Sequence, residues 1–277
     1  MRRAALLVAL VCVALAGCGA RSEPTVPKST ATMRVVVPPG AASTASIAAA
    51  GRQGLFREAG VAAQVETAAS GIDALERGQA ELAVTSEPAL LQARDRGVRV
   101  VSVAALVSGS RVAVVSTGNV KTPRDLAGKR LGTFGTPYAQ AFAKTLSARA
   151  GGSGIKVVAV SNPTKALQKH QVDAVLGPAS QVHLKKARAV TVDKLGVPTY
   201  DQEVLVATEA TTRERGDDIR SFIGALWHQA GGKAPGPQSP AQWRAFAEWM
   251  AANGLLKGQP NAAAAITSSV LPGSLRS

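Results

Sequence analysis

The chain has 277 residues, of which 46% are apolar, and a formal net charge of +14. This length is enough to bury a globular core. Its only cysteines, Cys12 and Cys18, lie near the first residue, so the rest of the chain offers no disulfide, cysteine-ligated zinc or cysteine nucleophile. The three histidines (His170, His183 and His228) lack the spacing of a metal site, and none is expected.

The excess of basic residues raises the question of nucleic acid as a partner. However, the basic residues are spread along the chain, aromatic residues make up only 4%, and no nucleic-acid-binding motif is present. The densest clusters, 185–188 and 94–96, are interpreted as solvated helix faces. We therefore expect no nucleic-acid partner.

The first 32 residues have the features of an export and anchoring signal. Arg2 and Arg3 precede an apolar run over 4–16, and a helix of about 13 residues rises only about 20 Å, too little to span a ~30 Å hydrocarbon core. This predicts a signal peptide over 1–17. Leu15-Ala-Gly-Cys18 resembles the lipobox of bacterial lipoproteins, which implies that Cys18 is acylated and becomes the first mature residue. The alternative is an apolar cysteine inside an ordinary secretory signal.

Residues 18–32 are polar and contain proline, and they are predicted to tether the folded body to the membrane. Strand-like and helical patterns then alternate. Strands are predicted at 33–37, 63–67, 81–84 and 98–107, with helices at 45–57, 70–77 and 88–95. Strands separated by helices at this interval indicate βα units and a mostly parallel sheet.

A second βα series follows. Strands are predicted at 111–115, 129–134, 155–160, 173–176 and 204–207, with helices at 122–125, 137–150 and 162–170, and the remainder is helical. The pattern predicts an α/β fold of two lobes, with 33–108 and 205–277 in the first and 109–204 in the second. The chain would cross between lobes near 107–116 and 200–208.

The C-terminal helices are expected to pack on the first lobe, and their two apolar stripes are interpreted as packing faces. One stripe is Ile219, Phe222, Ile223 and Leu226, and the other is Trp243, Phe246, Ala247 and Met250.

A ligand site is expected at the carboxyl ends of the strands, where loops and helix N-termini expose unpaired N–H groups. Tyr138 is predicted to be the one ring placed to stack on a ligand, and Glu87 could accept from a ring amino group or simply complement a helix dipole. Ser70, Thr136, Ser161 and Asn162 could equally be helix caps. The predicted binding residues are Ser43, Thr44, Ser70, Gly71, Thr85, Ser86, Glu87, Thr136, Tyr138, Ser161, Asn162 and Gly177.

Four segments resemble the solute-binding proteins of ABC importers. They are Gly51–Val61, Ala74–Val84, Lys121–Arg130 and Gln171–Val175. The resemblance implies a type II periplasmic-binding-protein fold with the ligand cleft between two lobes. It also implies a monomer without catalytic residues or a cofactor, which lies on the extracytoplasmic face of the membrane. Its partners would be a small-molecule solute and a permease with a cytoplasmic ATPase.

Thr85–Arg94, Val98–Val107 and Gly196–Leu205 resemble most the subgroup that binds pyrimidine precursors of thiamine. That subgroup carries an aromatic residue after its first strand, whereas 37–43 here reads VPPGAAS. Relatives that bind riboflavin or sulfonates share the scaffold, as do a pyrimidine synthase and a menaquinone-pathway dehydratase. A sensor role at the membrane is a further alternative.

Overall fold

The computed structural model describes residues 31–152, 154–258 and 261–276. The strands, in chain order, are β1 (Met33–Val37), β2 (Ala63–Thr67), β3 (Leu82–Thr85), β4 (Val100–Val107), β5 (Val112–Ser116), β6 (Arg130–Thr133), β7 (Lys156–Ala159), β8 (Ala174–Pro178), β9 (Arg188–Thr191) and β10 (Glu203–Thr208). The helices are α1 (Thr44–Arg52), α2 (Leu55–Glu58), α3 (Gly71–Glu76), α4 (Glu87–Asp95), α5 (Pro137–Arg149), α6 (Pro163–Gln168), α7 (Glu209–Glu214), α8 (Gly216–Gln229) and α9 (Pro240–Ala252).

The strands form two five-stranded sheets. The order is β2-β1-β3-β10-β4 in the first and β7-β6-β8-β5-β9 in the second. Only β10 runs antiparallel to its neighbours in the first sheet, and only β5 in the second. The α/β fold with two mostly parallel sheets is therefore confirmed. We call the first sheet and its helices the first lobe, and the second sheet and its helices the second lobe.

Two crossing segments join the carboxyl edges of the two sheets. Val107, the last residue of β4, pairs with the first residue of β10, and Val112, the first residue of β5, pairs with the last residue of β8. The four residues between them span at most about 18 Å, so the two edges lie close to each other. The return segment, 192–202, connects β9 to β10. A ligand at one carboxyl edge is therefore within reach of the other.

The C-terminal helices contact both lobes, whereas the sequence predicts that they pack on the first lobe alone. Helix α8 packs on the first lobe as predicted, with the Phe222 ring stacked on Phe56 at a centroid distance of 4.4 Å. Helix α9 also contacts the second lobe. Its Trp249 ring stacks on Phe142 of α5 at 5.0 Å, and Trp249 Nε1 donates to Thr145 Oγ1 at 2.9 Å. Both predicted apolar stripes are buried.

Three local predictions are wrong. The single helix over 45–57 is two helices, because Gly54 adopts a φ of 77° that ends the helical path. The basic cluster 185–188 is a turn that leads into edge strand β9, not a helix face. The strand predicted over 98–107 begins only at Val100, after the turn at 96–97.

None of the described helices is long and apolar enough to cross a membrane. The signal peptide, Cys18 and nearly all of the tether lie outside the described residues. We keep the lobe boundaries, 33–108 with 205–277 and 109–204, as a proposal.

Candidate functional site

The candidate site is the pair of facing carboxyl edges, which we call the cleft. The loops at 38–43, 68–70 and 85–86 follow strands of the first lobe, and those at 134–136, 160–162 and 177–178 follow or end strands of the second. All the predicted binding residues fall in or next to these loops. The geometry and burial of the individual side chains distinguish their roles.

The loop after β1 is held by Glu203, which is not among the predicted binding residues. The backbone N–H groups of Ala42 and Ser43 donate to the two carboxylate oxygens of Glu203, at 2.5 and 2.9 Å. The hydroxyl oxygens of Ser43 and Thr44 lie beside this anchor, buried and without a hydrogen-bond partner among the described residues. Buried polar groups normally have a partner, so these two hydroxyls are candidates for a bond to a ligand.

Four predicted residues are helix caps. The side chains of Ser70, Ser86, Thr136 and Asn162 accept from backbone N–H groups three residues later, at distances between 2.8 and 3.3 Å. The capping alternative is therefore confirmed for Ser70, Thr136 and Asn162, whereas Ser161 precedes the cap. A hydroxyl that accepts from a backbone N–H can still donate its own hydrogen to a ligand. Ligand contact through Ser70, Ser86 and Thr136 therefore stays a prediction.

The two predicted glycines allow close packing. A Cβ atom on Gly71 would lie 2.6 Å from the Cβ atom of Ala83, so α3 packs directly on β3. A Cβ atom on Gly177 would lie 3.0 Å from the Phe134 ring. Thr85, the last residue of β3, is half-buried and pairs with Val204.

Glu87 lies in the interior behind the cleft rather than at its surface. Its side chain is 0% exposed. Oε2 of Glu87 accepts from the backbone N–H of Asp201 at 2.7 Å, while Oε1 has no hydrogen-bond partner in the part of the chain that the structure describes. Asp201 Oδ2 accepts from Trp243 Nε1 at 2.9 Å, and Gln242 lies beside both carboxyl groups.

The environment of Glu87 favours its neutral form. Burial raises the pKa of Glu87 to about 8, and the neighbouring carboxyl of Asp201 adds to this shift. Burial also raises the pKa of Asp201. This pair joins α4, the return segment and α9, and we assign it to the packing between them.

Two rings lie near the carboxyl edge of the second sheet, Phe134 and Tyr138. Tyr138 packs between the lobes, with its ring 6.4 Å from Phe142 and its hydroxyl 3.9 Å from Met250 Sδ. Phe134 directly follows β6 at the carboxyl edge and is 42% exposed. It covers a small recess lined mainly by apolar residues: Val160, Pro163, Val175, Gly177, Pro178 and Val182. Phe134 is thus a second ring at this edge, and a stacking role for the half-buried Tyr138 stays a prediction.

The two sides of the cleft thus differ in chemistry. The loop after β1 in the first lobe contains two buried hydroxyls beside a buried carboxylate, and the second lobe presents an exposed ring on an apolar surface. The six loops of the cleft contain no Lys or Arg. No group of three or more His, Cys, Asp or Glu that could hold a metal occurs among the described residues. The arrangement suits a small ligand with a flat face and a polar edge.

The fold defined by these two lobes is that of the periplasmic binding proteins. The aliphatic sulphonate binding protein SsuA of Escherichia coli has a similar structure, with a TM-score of 0.62 at 15% identity over 86% of this chain and 92% of that one. The NMT1/THI5 like family matches residues 41–230, and the chain belongs to that family.

Two curated relatives match about half of the chain. A candidate thiamine biosynthesis protein of Haemophilus influenzae is 29% identical over 158 residues, which are 53% of this chain and 50% of that protein. The formylaminopyrimidine-binding protein of Halalkalibacterium halodurans is 27% identical over 157 residues, 52% and 48% of the two chains. The match thus spans about half the length of each relative.

Proposed function

We propose that this protein is the extracytoplasmic solute-binding lipoprotein of an ABC importer and that it captures a small polar heterocycle related to the pyrimidine precursors of thiamine. The observation that carries the proposal is the cleft itself, with the buried, unpartnered hydroxyls of Ser43 and Thr44 beside Glu203 on one side and Phe134 on the other. Membership of the NMT1/THI5 like family supports the ligand class, as does the similarity to a formylaminopyrimidine-binding protein.

An aminopyrimidine offers a flat face and an edge of ring nitrogens with an amino group. Phe134 would cover the face, where an aromatic pair contributes about 0.5–1.5 kcal/mol beyond burial. Glu203, Ser43 and Thr44 would bond the edge, where a hydrogen bond to a charged group contributes about 1.5–3 kcal/mol. The edge therefore contributes most to selectivity, because a ligand without the amino group leaves the carboxylate without that bond.

The charges of the cleft distinguish this ligand from a sulfonate. A sulfonate would lie near the carboxylate of Glu203, and the six cleft loops supply no Lys or Arg to compensate it, although the crossing segment 108–111 beside them carries one cation, Arg111. A riboflavin-type ring, an enzymatic reaction on the same scaffold and a sensor role remain alternatives. We infer that the protein acts as a monomer and delivers its solute to a permease with a cytoplasmic ATPase.

Mass spectrometry of small molecules released from protein purified without added ligand tests the proposal. We expect to recover a nitrogen heterocycle, at about one mole per mole of protein. Recovery of an aliphatic sulfonate in that amount would contradict the ligand class. Conversion of a bound precursor to a new product would contradict the assignment as a transport protein.

A further inference from the structure

The positive charge of the chain is concentrated in its second lobe. Residues 109–204 contain fourteen Lys and Arg against five Asp and Glu, a net charge of +9 out of the total of +14. Of those five acidic residues, Asp201 and Glu203 are buried, and Asp173 pairs with Arg130 at 2.9 Å. The surface of this lobe is therefore strongly electropositive.

Three of these cations line one pocket that lies outside the cleft. The pocket has a volume of about 440 Å³ and is lined by Thr122, Pro123, Arg124, Arg149, Lys194, Leu195 and Gly196. No acidic residue is part of the lining. Arg124, Arg149 and Lys194 form no ion pair with any Asp or Glu of the described chain. All three side chains are exposed on an open surface pocket, so solvent screens part of their mutual repulsion and a bound anion would offset the rest.

The backbone positions one of the three cations. Gly196 has a φ of +90°, and a Cβ atom built on it would lie 2.5 Å from Cζ of Arg149. The guanidinium group of Arg149 therefore packs directly against the Gly196 backbone. This contact places the guanidinium group of Arg149 at the wall of the pocket, where no carboxylate of the described chain pairs with it.

The nearest acidic residues in the chain do not neutralise the pocket. The carboxylate of Asp125 accepts from the backbone N–H groups of Lys121 and Thr122, at 2.9 and 2.8 Å, and from the Thr122 hydroxyl at 3.1 Å. These bonds lower the pKa of Asp125 and hold its charge on the adjacent turn. Asp193 is exposed and is not among the lining residues.

We propose that this pocket binds the phosphate group of an anionic ligand. A guanidinium group presents parallel N–H donors that match two oxygens of a phosphate, and lysine adds a point charge. The ligand is either a soluble phosphate compound or the headgroup of an anionic phospholipid, since both present the same oxyanion. This site is independent of the proposed solute cleft.

The test compares two variants with equal loss of charge in the same lobe. The site variant combines Arg124→Gln, Arg149→Gln and Lys194→Gln. The control variant combines Lys165→Gln, Lys185→Gln and Lys186→Gln, whose side chains are exposed and belong to no pocket lining given above. The full chain is titrated with inorganic phosphate, and its binding to phosphatidylglycerol vesicles is compared with that to phosphatidylcholine vesicles.

We expect saturable binding of phosphate or selective binding to phosphatidylglycerol, weakened about tenfold or more in the site variant and less than about twofold in the control. Binding of free phosphate alone identifies a soluble ligand, and a phosphatidylglycerol preference identifies the lipid headgroup. Equal weakening in both variants, or no binding of either probe by the wild type, would overturn the proposal.

A second pair of variants tests the geometry without changing charge. Gly196→Ala displaces Arg149, whereas Gly128→Ala carries similar backbone strain at a φ of +68° with no atom within 4 Å of the added Cβ. We expect Gly196→Ala alone to weaken binding, with both variants folded as judged by circular dichroism. Equal affinity in the two variants would show that Arg149 is not held by this contact.

Discussion

Glu87 and Asp201 are hydrogen-bonded to each other in both directions. The backbone N–H of Glu87 donates to the carbonyl oxygen of Asp201 at 3.2 Å, and the backbone N–H of Asp201 donates to Glu87 Oε2 at 2.7 Å. Because Trp243 also donates to Asp201, three elements meet here: α4, the return segment and α9. The return segment from the second lobe is therefore hydrogen-bonded to a buried carboxyl group of the first.

This pair predicts that the protein becomes less stable as the pH rises. The pKa of Glu87 is raised from about 4.5 to about 8 in the folded state, so its stabilising contribution is full below pH 4.5. It is then lost progressively up to about pH 8, by at most ~1.4 kcal/mol per pH unit. Chemical unfolding between pH 5 and pH 9 measures this loss.

The substitution Glu87→Gln should reduce that dependence, because an amide keeps the bond to the Asp201 N–H without titrating. We expect the variant to be more stable than the wild type at pH 8. The control is Glu58→Gln on the exposed surface of α2, which should follow the wild type. A wild-type stability that rises between pH 5 and pH 8 would contradict this account.

The contact between α9 and α5 predicts a second effect. Replacing Trp249 with Ala removes the stack on Phe142 and the bond to Thr145. A fully buried tryptophan replaced by alanine usually costs about 3–5 kcal/mol in the free energy of unfolding. Because Trp249 is only half-buried, we expect a smaller loss of about 2–3 kcal/mol. Trp249→Phe, which can keep the stack, should lose only about 1 kcal/mol. Equal losses in urea unfolding would show that the ring stack contributes nothing.

Phe134 is expected to act in binding rather than in folding. Phe134→Ala should weaken heterocycle binding about threefold to tenfold, because the ligand loses an aromatic face. The unfolding midpoint should change little, since the ring is already 42% exposed. Val157→Ala, an exposed apolar residue on edge strand β7, is the matched control. If both variants bind like the wild type, Phe134 does not contact the ligand.

Glu203 has two predicted roles. Glu203→Gln leaves one of the two backbone N–H groups of Ala42 and Ser43 without an oxygen acceptor. We expect a stability loss of about 1–2 kcal/mol and an affinity loss of about tenfold or more for an aminopyrimidine. Calorimetry and urea unfolding separate the two roles. A stability loss with unchanged affinity would restrict Glu203 to positioning the loop.

Cys18 is predicted to anchor the mature protein. Cys18→Ala should release the protein from the membrane fraction, because the acylated thiol would be missing. Cys12→Ala, within the predicted signal peptide, should leave the protein in the membrane at its normal processed mass. Fractionation followed by intact-mass measurement checks both variants. A Cys18→Ala protein that stays in the membrane with normal processing would contradict the lipoprotein assignment.

The sequence predicts the local features of the site better than its long-range contacts. The caps at Ser70 and Asn162 involve residues only three positions apart, and polar residues before an apolar helical pattern signal them. The bond from Ser43 to Glu203 joins residues 160 positions apart. A charged residue at the start of an apolar strand was the only signal for Glu203, and it does not specify a partner.

Sequence periodicity predicts the direction of the Tyr138 side chain but not that of Phe134. Tyr138, Phe142 and Thr145 are spaced as one face of a helix, which indicates packing for Tyr138. Phe134 comes one residue after its strand ends, so strand alternation does not fix the direction of its side chain. The edge strand β9 was missed because four residues within a basic segment give little strand signal.

Calorimetric titration with hydroxymethylpyrimidine, its formylamino analogue, riboflavin and taurine shows whether the cleft binds an aminopyrimidine. We expect saturable one-to-one binding of at least one pyrimidine, weakened by Phe134→Ala and by Glu203→Gln. Tight binding of taurine, with no heat from any heterocycle, would contradict this expectation.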